Sequence, residues 1–217
     1  MSGSKGKFLF VQALTLIRIP LILIFLAVSL CVNTRNHPFW FNVAFYSMIA
    51  SAVTDLFDGF FARKFRVVSR LGAYADPLCD KFFYLTAFPT LVFLSALQMD
   101  AANAHARFHA RLLLALAIFY LMRDQWVTFL RSIGSLYNVD ARAHFAGKFR
   151  TFISFPIICM IYYYLQAPRH WRLQLPSWLI YILEATLLVV NLYSIWYYTV
   201  FYWPWIQKEL RPDADKN

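Results

Sequence analysis

Charge is scarce in this chain, and negative charge scarcest: Asp and Glu together number 11 among 217 residues, against 21 Lys and Arg. Charged residues total 15%, where a water-soluble domain carries roughly a quarter. That shortfall excludes an ordinary soluble globular domain. Cysteine is also sparse. Cys31, Cys79 and Cys159 are odd in number and far apart, which excludes a disulfide framework and a cysteine zinc site; each reads as a small membrane-buried side chain. No internal repeat and no low-complexity linker divides the sequence, so a single domain over 1–217 is expected.

What the chain has in abundance is apolar surface, with 60% hydrophobic and 19% aromatic residues. These residues come in long blocks and not in an amphipathic stripe. Six blocks stand out, at 9–32, 38–61, 74–98, 109–130, 149–166 and 175–205. Each is near or above the ~20 residues that cross ~30 Å of hydrocarbon. The expected fold class is an all-α integral membrane protein with six transmembrane helices. The first block reads as a retained span, because Arg18 interrupts it and no small-residue cleavage site follows. The sixth is rich in Tyr193, Trp196, Tyr197, Tyr198, Tyr202, Trp203 and Trp205, expected in the interfacial aromatic belt, with Pro204 ending or kinking the helix.

A formal net charge of +10 suits either nucleic acid or a membrane surface, and its distribution decides. Six spans put both termini on one side, together with the 62–73 and 131–148 loops. That side holds 16 of the 21 basic residues; the other holds Arg35, Arg107, Arg111, Arg169 and Arg172. The positive-inside rule places the basic side in the cytoplasm. Topology accounts for the charge, and a nucleic-acid partner drops out.

Against this background four of the eleven acidic residues crowd into one 26-residue window: Asp55, Asp58, Asp76 and Asp80. Asp55 and Asp58 are three apart, Asp76 and Asp80 four apart, so each pair shares one face of a helix. Four carboxylates meeting at a membrane boundary repel unless cations sit among them, and carboxylate oxygen is the natural ligand of Mg²⁺ or Mn²⁺. Gly59 and Ala62 remove bulk one turn apart, Arg63 offers a fork for phosphate oxygens, and Ser69 and Gly72 add a hydroxyl and an approach point. The competing reading is a pair of hydrated or salt-bridged helix ends, or an ion pathway through the membrane.

At these residues the sequence resembles the CDP-alcohol phosphatidyltransferase family, whose signature is D-x2-D-G-x2-A-R-x8-G-x3-D-x3-D. Asp55, Asp58, Gly59, Ala62, Arg63, Gly72, Asp76 and Asp80 meet it with every spacing kept. The resemblance implies a six-helix membrane fold, usually a homodimer, with its active site open to the cytoplasmic leaflet. It implies that Asp55, Asp58, Asp76 and Asp80 surround two divalent ions against the pyrophosphate of a CDP-lipid, CDP-diacylglycerol, and that Asp80 is the general base. By the same carry-over Thr15, Gly59, Ala62, Arg63, Ser69 and Gly72 line the CDP group beside Asp55 and Asp58.

The acceptor alcohol is read from what lies around the motif. Asp76-Pro-Leu-Cys-Asp80-Lys81 is similar to a segment found in both the glycerol-3-phosphate-accepting and the phosphatidylglycerol-accepting branches of the family. The Arg123-Asp-Gln-Trp-Val127-Thr-Phe-Leu-Arg131 segment, Gly147-Lys148-Phe-Arg150-Thr151 and Leu14-Thr15-Leu-Ile-Arg18 are similar to segments of the former. Asp124 stands where the former usually has Glu, Arg-Asp at that place being seen in the latter, and Gln12 stands where Asn is usual. Arg123, Arg131, Lys148 and Arg150 flank one cytoplasmic loop and suit an acceptor that carries its own phosphate; the alternative is a set of anchors reaching to lipid headgroups. Arg123 lies inside an apolar span and needs a partner.

Glycerol 3-phosphate is the expected acceptor, with phosphatidylglycerol, inositol phosphate or serine as alternatives within the family. His37, His105, His109 and His170 are expected at the outer interface, and His144 in the cytoplasmic loop. Glu184, inside the last span, needs a partner, for which a dimer interface is one place. A cation transporter is the rival from another class, disfavoured because the carboxylates stay at one face. The expected location is the inner membrane of the cell, multi-pass, with termini and active site on the cytoplasmic side.

Overall fold

A computed structural model describes residues 2–65, 70–99, 104–137, 139, 145–168, 171 and 173–210. Within these helices the side chains at 2–5, 7, 8, 11, 55, 56, 58–63, 70–77, 80, 145, 146 and 148 lie outside the description. Every described element is a helix: α1 (Ser2–Cys31), α2 (Pro38–Phe65), α3 (Arg70–Ala96), α4 (Ala104–Leu136), α5 (Phe145–Gln166) and α6 (Ser177–Leu210). The six apolar blocks thus map one to one onto six helices. An apolar run in hydrocarbon must satisfy its backbone internally, which favours helix over any open structure. Among the described residues three helices are long and apolar enough to cross a membrane, at Gln12–Cys31, Ala104–Leu136 and Ser177–Leu210, and a third of each apolar stretch is buried within the protein. The remaining faces stay apolar and exposed, Leu23, Leu114 and Trp196 among them.

Element boundaries follow local chemistry. Pro38 opens α2, where its missing N–H costs nothing, and the Phe41 amide donates to the His37 carbonyl at 3.1 Å. At the end of α4 the amides of Tyr137 and Val139 both donate to the Gly134 carbonyl. Pro204 does not end α6, which runs on to Leu210. The proline sits within two turns of the terminus, where the single carbonyl it orphans lies close to those already left over at a helix end.

The contacts divide the chain into two compact units. The first comprises residues 1–113 and 158–176. In it α1 packs against α2 and α3, around Phe25, Phe41, Phe88 and Tyr162, each less than 3% exposed. Phe41 stacks on Tyr162 with centroids 5.9 Å apart, and Ser29 donates to the Tyr162 hydroxyl at 3.2 Å. The turn after α1 is clasped by polar bonds: Thr34 to Gln166 at 2.7 Å, Arg35 to the Leu165 carbonyl at 2.7 Å and Arg35 to Gln98 at 3.1 Å. His109 also belongs here, and it is not interfacial as expected. It is buried, with Nδ1 3.3 Å from the Ser95 hydroxyl, because a histidine one turn into α4 reaches its partner on α3 without leaving the packed interior.

The second unit comprises residues 114–157 and 177–217. Its core is Val127, Leu130, Tyr198 and Tyr202, with Tyr198 and Tyr202 stacked nearly parallel, 6° apart in plane. Gly134 permits this packing: a Cβ there would stand inside contact distance of the Tyr202 ring. Cys31 is exposed, whereas Cys79 and Cys159 are buried, and all three are free thiols.

Candidate functional site

The acidic motif lies on two helices of the first unit. Asp55, Asp58, Gly59, Ala62 and Arg63 belong to α2, and Gly72, Asp76 and Asp80 to α3. The side chains of these residues, and Ser69 entirely, fall outside the described residues. Among the described residues no group of three or more His, Cys, Asp or Glu forms a metal nest, a statement that does not extend to these four aspartates. The surroundings are described more fully. Thr15 and Arg18, one turn apart on α1, are both buried, and the Cys79 thiol, one residue before Asp80, points to the Thr15 carbonyl at 3.8 Å. The Leu14–Arg18 segment therefore packs against α3 at the level of Asp80.

The basic residues read as an acceptor site come together in the second unit. Arg123, on α4, is only 4% exposed. It donates through Nη1 to the neighbouring Asp124 carboxylate at 2.8 Å, and through Nε and Nη2 to the Ser194 hydroxyl of α6. The same Asp124 oxygen lies 2.8 Å from Nη1 of Arg150 on α5. Asp124 thus bridges α4 and α5, and Arg150 also stands 4.4 Å over the Tyr120 ring. Arg131, two turns further along α4, donates to the Tyr198 hydroxyl at 3.0 Å. The guanidinium carbons of Arg123 and Arg131 lie 5.4 and 5.3 Å from the centroid of that one tyrosine ring, within reach of a cation–π attraction.

Gly147 completes the arrangement: a Cβ there would fall 2.8 Å from the Tyr198 hydroxyl and 3.9 Å from Nη2 of Arg131. Lys148 follows it on α5, with its side chain outside the description.

Electrostatics give the cluster a direction. Three guanidinium groups gather here around the Asp124 carboxylate, so the described residues make a cationic cluster in a partly buried setting. Like charges at such separations oppose one another more strongly than in water, and nearly buried guanidinium groups call for a partner. Nε of Arg131 is buried with no hydrogen-bond partner among the described residues. An anion with several acceptor oxygens is the complement of this site.

Of the four sequence-predicted basic residues, the structure brings Arg123, Arg131 and Arg150 together. Sequence reasoning missed Asp124 as the bridge, Ser194, and above all Tyr198. Tyr198 and Tyr202, read as interfacial belt, are fully buried. A signal existed. The buried residues of α6 include Ile180, Glu184, Leu187, Asn191, Ser194, Tyr198 and Tyr202, which recur at three- and four-residue steps and mark one packed stripe. Glu184 is buried on that stripe within the chain itself, so it does not lie on a face open to a second copy. His144 lies outside the described residues.

Comparison with known proteins identifies a family. The family profile of CDP-alcohol phosphatidyltransferase matches residues 8–201. The chain is 36% identical over 84 residues to a CDP-diacylglycerol–glycerol-3-phosphate 3-phosphatidyltransferase of Blochmanniella floridana, covering 38% of this chain and 41% of that protein. It is 30% identical over 146 residues to the protein of the same name from Bacillus subtilis, covering 64% and 68%. It is 27% identical over 157 residues to a probable phosphatidylglycerophosphate synthase of Mycobacterium tuberculosis, covering 72% and 67%. The chain thus spans between about two fifths and two thirds of the length of these relatives. No solved structure gives a significant match.

Proposed function

Because the chain belongs to the CDP-alcohol phosphatidyltransferase family, we propose that it transfers the phosphatidyl group of CDP-diacylglycerol to glycerol 3-phosphate, yielding phosphatidylglycerophosphate and CMP in phospholipid biosynthesis. The observation that carries the choice of acceptor is the cluster of Arg123, Arg131 and Arg150 around Asp124 and Tyr198. Glycerol 3-phosphate is a phosphomonoester with about two negative charges near pH 7, a stronger complement to a cluster of arginines than phosphatidylglycerol, a phosphodiester with one. The names of the relatives point to the same acceptor.

The chemistry follows from the aspartates. Asp55, Asp58, Asp76 and Asp80 are an all-oxygen donor set suited to two Mg²⁺ or Mn²⁺ ions. Such ions, when bound, supply positive charge against the pyrophosphate and make CMP a better leaving group. Asp80 takes the proton from the acceptor hydroxyl as its oxygen attacks the phosphorus that bears diacylglycerol; the bond from that phosphorus to the CMP oxygen breaks, and CMP departs. Arg63, with Thr15, Gly59, Ala62, Ser69 and Gly72, lines the nucleotide. Arg123, Arg131, Lys148 and Arg150 hold the acceptor's phosphate, turning an encounter of two substrates into an oriented one.

All six helices are read as membrane spans; even α5, at 22 residues, is about 33 Å long at 1.5 Å per residue. The balance of basic residues puts the termini and the active site on the cytoplasmic side of the inner membrane. The whole is read as one catalytic domain that assembles as a homodimer.

The test is direct. Purified protein in detergent is incubated with CDP-diacylglycerol, Mg²⁺ or Mn²⁺ and one acceptor at a time, and CMP release is measured. Release with glycerol 3-phosphate and not with phosphatidylglycerol, inositol phosphate or serine is the expected result. Release with phosphatidylglycerol alone would reassign the acceptor, and no release with any of them would refute the reading.

A further inference from the structure

We infer that Tyr198, on α6, is a positioning residue for acceptor recognition: its hydroxyl holds the Arg131 guanidinium in place, and position 147 is glycine so that this hydroxyl fits. The inference rests on the reading of the arginine cluster as the acceptor-phosphate site and deepens it.

Tyr198 is itself rigidly held. It is fully buried, packs with Val127 and Leu130, and stacks on Tyr202 with centroids 6.5 Å apart. A tyrosine in such a stack has two torsions to fix and both are fixed by packing, so its hydroxyl is a preorganised acceptor. That hydroxyl receives Nη2 of Arg131 at 3.0 Å. The bond settles which edge of the guanidinium the protein uses and leaves Nε, buried and without a partner among the described residues, as a donor for a phosphate oxygen.

The ring does a second task. Arg123 and Arg131 stand 5.4 and 5.3 Å from its centroid, so one π-system attracts two cations that otherwise repel. Arg123 is tied besides to Asp124 and Ser194, whereas among the described residues Arg131 donates a hydrogen bond to this hydroxyl alone. Loss of the hydroxyl therefore frees Arg131 and spares Arg123. Gly147 is the permissive element. A methyl group there would stand 2.8 Å from the Tyr198 oxygen, closer than two such atoms tolerate, and a ring locked in a stack cannot swing aside.

The experiment compares the full-length parent with Tyr198→Phe, Arg131→Ala, the double variant and Gly147→Ala. The readouts are KM for glycerol 3-phosphate, KM for CDP-diacylglycerol, kcat and the melting temperature in detergent. Tyr198→Phe keeps the stack and the π-face and deletes only the hydroxyl. It is expected to raise the acceptor KM about ten-fold, the usual scale for a hydrogen bond to a charged group, with kcat and the CDP-diacylglycerol KM unchanged. In the Arg131→Ala background Tyr198→Phe is expected to add nothing, since it acts through that arginine. Gly147→Ala is expected to raise the acceptor KM as well, and combining it with Tyr198→Phe to be no worse than Tyr198→Phe alone, because removing the oxygen removes the clash.

If Arg131→Ala raises the acceptor KM while Tyr198→Phe leaves it at the parent value, or if the two effects multiply in full, the positioning role is overturned and the acceptor site stands. If Arg131→Ala itself leaves the acceptor KM unchanged, the acceptor-site reading falls, and this inference with it.

Discussion

Asp124 and Arg150 meet across two helices, with one Asp124 oxygen 2.8 Å from Nη1 of the arginine. The same oxygen accepts from Arg123 at the same distance, so a single carboxylate joins α4 to α5 and holds two cations close together. Replacing Asp124 by Ala leaves both guanidinium groups without their anion in a nearly buried position. Breaking a buried ion pair from one side costs about 3–5 kcal/mol, and the melting temperature in detergent should fall accordingly. Asp124→Glu, which keeps the charge, should retain most of that stability. Equal stability of the Ala and Glu variants would show that the bridge contributes nothing.

Arg123 should matter to one substrate and not the other. Arg123→Lys keeps the charge but loses the fork that reaches Asp124 and Ser194 together. Its KM for glycerol 3-phosphate should rise by at least about ten-fold, the scale of a charge-assisted hydrogen bond, with the KM for CDP-diacylglycerol unaltered. Initial-rate kinetics with each substrate varied in turn decide this, and parallel rises in both constants would count against an acceptor-specific role.

Asp80 is expected to separate binding from turnover. Asp80→Asn removes the proton acceptor and should reduce transfer to background, while CDP-diacylglycerol still protects the protein against thermal unfolding. Chelation with EDTA should likewise stop transfer, and added Mg²⁺ or Mn²⁺ should restore it. A fully active Asp80→Asn protein would remove the general base from the mechanism.

A purely structural contrast is available at Gly134. Its Cα faces the Tyr202 ring so closely that an added methyl group collides with it. Gly134→Ala should destabilise the protein by about 1–3 kcal/mol, as overpacking of a close-packed core does, without changing either KM. An unchanged melting temperature would mean that the Tyr202 stack yields more easily than its burial implies.

The limits of legibility in the sequence have physical causes. The six helices were readable because uninterrupted apolar runs admit little else, and the aspartate motif because eight residues keep fixed helical spacing. Arg123 was readable as a residue in need of a partner, since a cation inside an apolar span is costly. Its actual partners were not: Asp124 is adjacent in sequence, but Ser194 is 71 positions away, and no local pattern connects them. Tyr198 was misread because an amphipathic ring suits both an interfacial belt and a buried hydrogen bond. Only the helical stripe from Glu184 through Asn191 and Ser194 to Tyr202 distinguishes the two, and it emerges once burial along α6 is known.

The most direct test of the account is the preference for glycerol 3-phosphate over unphosphorylated glycerol, measured as the ratio of kcat/KM values in the parent and in Arg131→Gln. The account predicts a strong preference in the parent that collapses in the variant through loss of activity on glycerol 3-phosphate, with the slow reaction on glycerol untouched. An Arg131→Gln protein that keeps the parental preference, or loses activity on both alcohols equally, would contradict it.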